Sequence, residues 1–243
     1  MIKEAAKLIR NAKNIVAFTG AGISVESGIP SFRGEDGLWH RYDPKCLDIS
    51  YFNRHPKEAW IVIEEIFYHF FGQAKPNAAH YALARLEKEM NLKAVITQNI
   101  DNLHQAAGSK TVYEFHGSSE NLVCQNCYTT IHSSKVNLKD LPPLCPKCKR
   151  VLKPNFVFFG EAIPRDAFEK SFAAIRKADV VLVIGSTCEV MPASMIPKEA
   201  KDHGAKIIEI NPERSSITNS ITDVYLKGKA GEIMLALEKV IFG

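Results

Sequence analysis

Four of the chain's six cysteines stand as two C-x-x-C pairs, Cys124 with Cys127 and Cys145 with Cys148, with seventeen residues between the pairs. Each pair aims two thiolates at one point, and two pairs complete a tetrahedron, the donor set of a structural zinc ion. The spacing fits the zinc template; disulfides or an iron–sulfur cluster are the alternatives. Four thiolates leave no coordination position open, so an ion held this way staples the fold and takes no part in a reaction. Cys46 and Cys188 stand outside the set.

Other segments gather groups suited to binding and proton transfer. Gly20-Ala21-Gly22-Ile23-Ser24 follows a short apolar run, where glycines let backbone N–H groups approach a phosphate; a plain strand-to-helix turn explains it equally. Val25 stands where a dehydrogenase fingerprint needs its third glycine, so that fingerprint is not met. In Gly28-Ile29-Pro30-Ser31-Phe32-Arg33-Gly34, Arg33 can hold a diphosphate oxygen and Phe32 can pack on a flat ring, or the loop is simply solvated. Thr97-Gln98-Asn99-Ile100-Asp101 crowds polar side chains at the end of a second apolar run. Amides there can read a carboxamide, with Asp101 accepting from its NH₂; an Asx turn that caps the next helix is the alternative. His116, followed by Gly117, can titrate near neutrality and suits a general base, although a lone histidine is more often structural.

These segments need a frame. Apolar residues recur at helical period over 2–12, and Ile15–Phe18 is continuously apolar, as a buried strand is. Short helices are expected within 36–75, and a helix over 77–90 with Asn77 as its N-cap. Strands are expected at Ala94–Thr97, Val112–Phe115, Phe156–Phe159, Val180–Ile184 and Lys206–Ile210. Helices are expected over Pro164–Lys177, Pro192–His203 and Ala230–Ile241. Fully apolar strands alternating with helices describe an α/β fold whose parallel sheet is covered on both faces. Such sheets bind ligands beyond the carboxyl ends of their strands, where Gly20, Gln98, His116, Gly160, Gly185 and Asn211 all fall. Residues 119–153, with the paired cysteines, three prolines and six Lys/Arg against two acids, read as a small metal-stapled insertion.

Composition narrows the class. At 46% hydrophobic residues and a net charge of +4, the chain has material for a core but not the basic stripe of a dedicated nucleic-acid binder. No run approaches a membrane span, and the start reads as an amphipathic helix rather than a leader, so a cytoplasmic protein is expected.

Taken in order, the segments resemble the sirtuin family. The carriers are Gly20–Ser24, Gly28–Gly34, Thr97–Asp101, His116-Gly117, the four cysteines, Phe159-Gly160-Glu161, Gly185-Ser186-Thr187 and Ile210-Asn211-Pro212-Glu213, spread over nearly the whole chain. The resemblance implies a Rossmann-like large domain, about 1–35, 76–118 and 154–243. It also implies a small domain from a helical insertion, about 36–75, and a zinc module, about 119–153. NAD would be consumed as a co-substrate, alongside one structural zinc ion, and the partner would be an acyl-lysine protein or peptide. Gly20, Ala21, Gly22, Ser24, Phe32 and Arg33 would hold the diphosphate and nicotinamide ribose, and Gln98 the ribose. Asn99, Ile100 and Asp101 would form the nicotinamide pocket. Gly185, Ser186, Thr187, Asn211, Pro212, Glu213 and Ala230 would surround the adenosine half. Val157, Phe158, Phe159, Gly160, Glu161 and Val190 would pair with the substrate backbone as added strands. The acyl group would pass from lysine to ADP-ribose as nicotinamide leaves, with His116 as base and Asn99 beside it as catalytic residues.

The resemblance also bears on the acyl group. Members that prefer succinyl or malonyl groups carry Tyr-x-x-Arg in the helix after a tryptophan; here Trp60 to Phe67 reads WIVIEEIF, and no arginine lies between Arg54 and Arg85. Burying an unpaired carboxylate there is costly, so acetyl or longer apolar groups are expected. Other readings are an NAD-dependent mono-ADP-ribosyltransferase and a zinc-ribbon nucleic-acid module. The expectation is a monomer with neither membrane nor direct nucleic-acid binding.

Overall fold

The computed structural model describes residues 1–32, 37–70 and 74–243. Helix α1 (Ile2–Asn11) leads into β1 (Ile15–Thr19), followed by a 3₁₀ turn over Ala21–Ser27. Short helices follow, among them α2 (Ile49–Arg54) and α3 (Pro56–Ile63), which runs on as a π-helix over Glu64–Phe70. Next come α4 (Ala78–Glu89), β2 (Leu92–Thr97), α5 (Leu103–Ala106) and β3 (Val112–Glu114). A small antiparallel unit of β4 (Gly117–Cys124), β5 (Thr130–His132) and β6 (Leu152–Phe156) is inserted there. The chain finishes with α6 (Arg165–Ile175), β7 (Val180–Ile184), α7 (Met195–Asp202), β8 (Lys206–Asn211), β9 (Val224–Lys227) and α8 (Ala230–Phe242).

Six strands form one wholly parallel sheet in the order β3-β2-β1-β7-β8-β9. Pleating sorts its side chains. From β1, Ile15 and Ala17 join a core with Ala5, Ile9, Leu83 and Leu237 of α1, α4 and α8, while Val16 and Phe18 join the opposite core with Phe172, Ile175 and Ile196 of α6 and α7. Strand β7 divides the same way, Val180, Leu182 and Ile184 against Val181 and Val183. Both faces are therefore covered, which is why these strands are apolar throughout. From β1 the chain builds outward in one direction through β2 and β3, then returns beside β1 with β7. That reversal opens a crevice beyond the carboxyl ends of β1 and β7.

The small sheet, β5-β4-β6, packs with the helical segment in a separate core around Trp60, Phe67, Leu122, Leu152 and Phe156. The buried Trp60 indole donates to the Leu152 carbonyl at 2.8 Å and ties the two segments together.

Three expectations are corrected. The strand expected at Phe156–Phe159 is Leu152–Phe156, and it pairs antiparallel with β4 rather than joining the large sheet. Residues 157 and 159 have other partners: Val157 N–H donates to the His116 carbonyl and Phe159 N–H to that of Leu47. The helix expected from Pro192 starts three residues later, at Met195. Strand β9 has no counterpart among the expected strands, because a four-residue edge strand carries too little pattern to separate from a loop.

Candidate functional site

Parallel register decides what meets at the crevice. Thr19 lies opposite Thr97 on one side and Ile184 on the other, and Ile184 lies opposite Ile210. Segments 20–24, 98–101, 185–187 and 211–213 therefore leave the same edge of the sheet, and β3 delivers His116 beside them.

The two glycine turns pack on each other. Gly20 N–H donates to the Ile184 carbonyl and Gly22 N–H to that of Gly185. A Cβ on Gly22 would stand 2.6 Å from Gly185 Cα, and one on Gly185, whose φ is +64°, would fall on the Ile23 backbone nitrogen. The glycines thus serve first to bring β1 and β7 together. Ile23 N–H is also spent, on the Gly20 carbonyl. Within the turn, Ala21 holds the first helical position, where N–H groups lack intrahelical partners. A Cβ on Gly20 would likewise meet the Gly185 carbonyl, at 2.8 Å, so neither glycine of this turn has room for a side chain.

Below this turn the polar residues form one network. Ser24 Oγ donates to Asp101 Oδ2 at 2.7 Å, and Asn99 Nδ2 reaches the Gly20 carbonyl and Ser24 Oγ, both at 3.1 Å. Asp101 Oδ1 also accepts from Leu103 N–H, the bond of an Asx turn. Burial pushes the Asp101 carboxyl above its ordinary range, against the pull of these bonds. Ile100 is buried alongside.

On the far wall, Gln98 Nε2 donates to Ser186 Oγ at 2.9 Å, and the Gln98 carbonyl lies 3.0 Å from His116 Nδ1. A carbonyl only accepts, so Nδ1 carries the proton and the neutral ring keeps its lone pair on Nε2. Burial lowers the His116 pKa below the usual imidazole value, partly offset by this bond. Asn211 Nδ2 donates to the Ser186 carbonyl, and Thr187 is bonded through its carbonyl to Ser216. Glu213 is exposed near Lys227, while Ala230 is buried at the start of α8. Phe32 packs at a tilt against Trp39 and Phe67. Arg33 lies outside the described residues.

Of the residues expected to pair with a peptide, 157–161 lie on a tight hook and Val190 lies in the turn before α7. The Phe158 side chain is buried, and its N–H bonds Glu161 Oε2. Phe159 is bridged through its backbone to Leu47 and Ile49. The backbone N–H groups of 157–159 are all used within the chain, and the Phe158 and Phe159 carbonyls already accept from Glu161 and Ile49, so added-strand pairing there would fall to the Val157 carbonyl and to Gly160. The Val190 carbonyl caps the turn at Ser194.

The four cysteine sulfurs lie within 4.8 Å of one another, with Cys124 to Cys148 at 3.4 Å and Cys127 to Cys145 at 3.6 Å. A zinc ion with sulfurs at about 2.3 Å spaces its thiolates about 3.8 Å apart, so the four fit it. The Thr129 hydroxyl at 3.2 Å helps push the Cys127 thiol down to about 6, toward the thiolate that a metal requires.

Several residues that shape the site give no signal in the sequence. Thr19 Oγ1 and His104 Nε2 are 2.9 Å apart, and the His80 ring packs on His104 at 4.9 Å, tilted by 58°. Glu209 is fully buried and accepts from Thr218, Thr222 and, at 3.4 Å, Asn211. Lys153, one of the six basic residues of the insertion, is buried in an ion pair with Glu161. A single buried polar residue on a strand has no period to betray it.

With this geometry in place, comparison with known proteins gives consistent results. The Sir2 family model matches residues 20–192. An NAD-dependent protein deacylase of Pyrococcus abyssi is 43% identical over 96% of this chain and 95% of its own. One from Thermococcus kodakarensis is 46% identical, over 96% and 93%. Among solved structures, a Sir2 homologue mutant–ADP ribose complex superposes with a TM-score of 0.94 at 40% identity, covering 99% of this chain and 96% of that one. A Sir2–p53 peptide–NAD+ complex does so at 0.91 and 37%, covering 98% of each.

Proposed function

This chain belongs to the Sir2 family, and on that premise we propose how its residues carry out the reaction. It is an NAD-dependent protein deacylase with a structural zinc site. Bound NAD supplies the ribose carbon that receives the acyl group, with nicotinamide as the leaving group.

The single observation that carries the assignment of roles is the His116–Gln98 contact. It holds the ring by Nδ1, leaving Nε2 as the base that takes a proton in the crevice. Asn99 and Asp101, fixed by Ser24 and the Gly20 carbonyl, are placed to bind a carboxamide in the pocket. The packed glycine turns hold the diphosphate, with Ala21 offering its N–H. Phe32 and Arg33 complete this side, and Gln98 meets ribose. Gly185, Ser186, Thr187, Asn211, Pro212, Glu213 and Ala230 surround adenosine. Val157 to Glu161 and Val190 hold an acyl-lysine peptide.

We read 1–35, 76–118 and 154–243 as the large domain and 36–75 with 119–153 as the small one. Its edges are best taken at Gly117 and Phe156, because β4 and β6 pair as a unit. No helix among the described residues is long and apolar enough to cross a membrane. We further read the chain as a cytoplasmic monomer that acts on proteins, prefers acetyl or apolar acyl groups and does not bind nucleic acid. The mild charge supports the reading on nucleic acid, the six free cysteines that on compartment, and the lack of an arginine between Arg54 and Arg85 that on the acyl group.

The test is incubation with NAD and a panel of acyl-lysine peptides, following nicotinamide release and peptide mass. Loss of the acyl mass with matching nicotinamide supports the reading. An ADP-ribose adduct in its place would overturn it, and faster turnover of succinyl-lysine than acetyl-lysine would refute the acyl preference.

A further inference from the structure

A lysine inside a strand needs a reason. Lys153 on β6 is 4% exposed, and each of its three ammonium donors has an oxygen: Pro154 O at 3.0 Å, Phe156 O at 2.7 Å and Glu161 Oε2 at 2.9 Å. The ammonium also stands over the Phe158 ring, 4.0 Å from its centroid. A buried cation is tolerated only when paired and fully hydrogen-bonded, and this one is both.

Glu161 is bound from the other side. Its Oε2 accepts Phe158 N–H at 2.8 Å, and its own N–H donates to the Phe158 carbonyl at 3.0 Å. Phe158 and Glu161 therefore close a reciprocal turn, with Phe159 and Gly160 at its tip; Phe159 is 48% exposed and Gly160 has a φ of +89°. One end of the hook is anchored to the His116 carbonyl through Val157 N–H. Phe158, beneath the ammonium, packs edge-on against Phe52 and stacks on Phe156.

We propose that Lys153 and Glu161 are positioning residues for the acyl-lysine peptide: their ion pair fixes the 157–161 hook in its binding shape, and Glu161 spends its charge on Lys153 and Phe158 rather than on the substrate. This rests on the reading that 157–161 holds the peptide backbone. The bonds that shape the hook come from within the chain, so the peptide does not bear the entropy of ordering it. The Glu161 charge is neutralised within the chain, so the hook reads a peptide through its backbone and not through its flanking charges.

The experiment compares Glu161→Gln, Lys153→Met and the double variant in steady-state kinetics, with Lys153→Arg as the conservative control. Each single variant is expected to raise peptide KM by about tenfold, the scale of having to order a loop side chain on binding. NAD KM and bound zinc should stay unchanged. The double variant should be no worse than either single one, and Lys153→Arg should restore most of the affinity. If a single variant fails to fold, the double variant carries the test, since it leaves no unpaired charge. Peptide KM equal to the parent's in the folded double variant, or peptide and NAD KM rising together, overturns the proposal. A peptide N-methylated at the backbone amides flanking the acyl-lysine separates the two readings. If it binds the parent normally, the hook does not pair with the backbone; if it binds poorly while the variants bind well, the clamp alone is wrong.

Discussion

His116 Nδ1 lies 3.0 Å from the carbonyl oxygen of Gln98. Gln98 is itself held at both ends, its N–H on the Thr19 carbonyl and its side-chain amide on Ser186 Oγ. The imidazole is thereby oriented by the end of β1 and the start of the β7 turn together, and its tautomer follows from the acceptor it faces.

The first prediction concerns pH. With His116 acting as the proposed base, the active form is the neutral ring, and burial holds its pKa below the usual imidazole value. Neutral base is then present at every pH above that lowered pKa, and activity falls only as pH drops through it. The acid limb of kcat/KM should lie below about 6.5, the ordinary histidine value. His116→Ala should lose nearly all turnover while NAD still binds. An acid limb at or above that value, or near-normal turnover of the variant, would count against the role.

A second prediction separates two glycines that share a left-handed φ. A Cβ added at Gly204, at +90° after α7, would meet nothing within 4 Å, whereas one added at Gly185, at +64°, would meet the Gly22–Ile23 backbone. Gly204→Ala should cost about 1–2 kcal/mol, the ordinary left-handed penalty. Gly185→Ala should cost more than that, because the β1 and β7 turns must part. It should also weaken NAD binding, which Gly204→Ala should not. Urea melts and NAD titrations of the two variants decide it; equal costs would show that the turns are not tightly packed.

The third prediction follows from the His80–His104 pair. Both rings are buried, which pushes their pKa values down to about 4 and about 3. Below about pH 6.5 the unfolded chain takes up protons that these folded rings refuse, so stability must fall as pH falls and rise as pH rises. Between pH 7.5 and 5 the loss should be roughly 2 kcal/mol for each ring. Urea denaturation across that range, with a His80→Gln/His104→Gln variant beside the parent, isolates the pair. A variant with the parent's pH slope would refute the assignment.

The sequence is most informative where chemistry has a spacing or a period. The cysteine pairs, the buried strands Ile15–Thr19 and Val180–Ile184, and the Asn77 cap are legible because each repeats a local rule. The Asn77 side chain does accept from Ala79 N–H, and its NH₂ further reaches the Ile23 carbonyl and Ser27 Oγ of the turn after β1. Register is not legible: that Gly22 packs on Gly185, 163 residues away in the chain, follows from β1 lying beside β7. Lys153 misleads for the same reason. In the sequence it is one basic residue among six, and only the return of the chain through Glu161 makes it a buried pair.

The last prediction concerns metal removal. The cysteine cluster ties β4, through Cys124, to the segment that leads into β6, through Cys145 and Cys148, and the Cys145 N–H bonds the Arg150 carbonyl just before β6. The Trp60 indole, at the centre of the small core, donates to the adjoining Leu152 carbonyl. Loosening the cluster therefore loosens the small core from the inside while leaving the six-stranded sheet, which shares no cysteine of the set, intact. A chelator should release one zinc per chain and raise amide exchange in residues 117–156 well before it affects β1 or β7, since metal binding and folding are coupled in such sites. Cys127→Ser should behave as the chelated protein does. Exchange that rises uniformly through both sheets, or a chain that never held zinc, would show that the cluster does not act as a local staple.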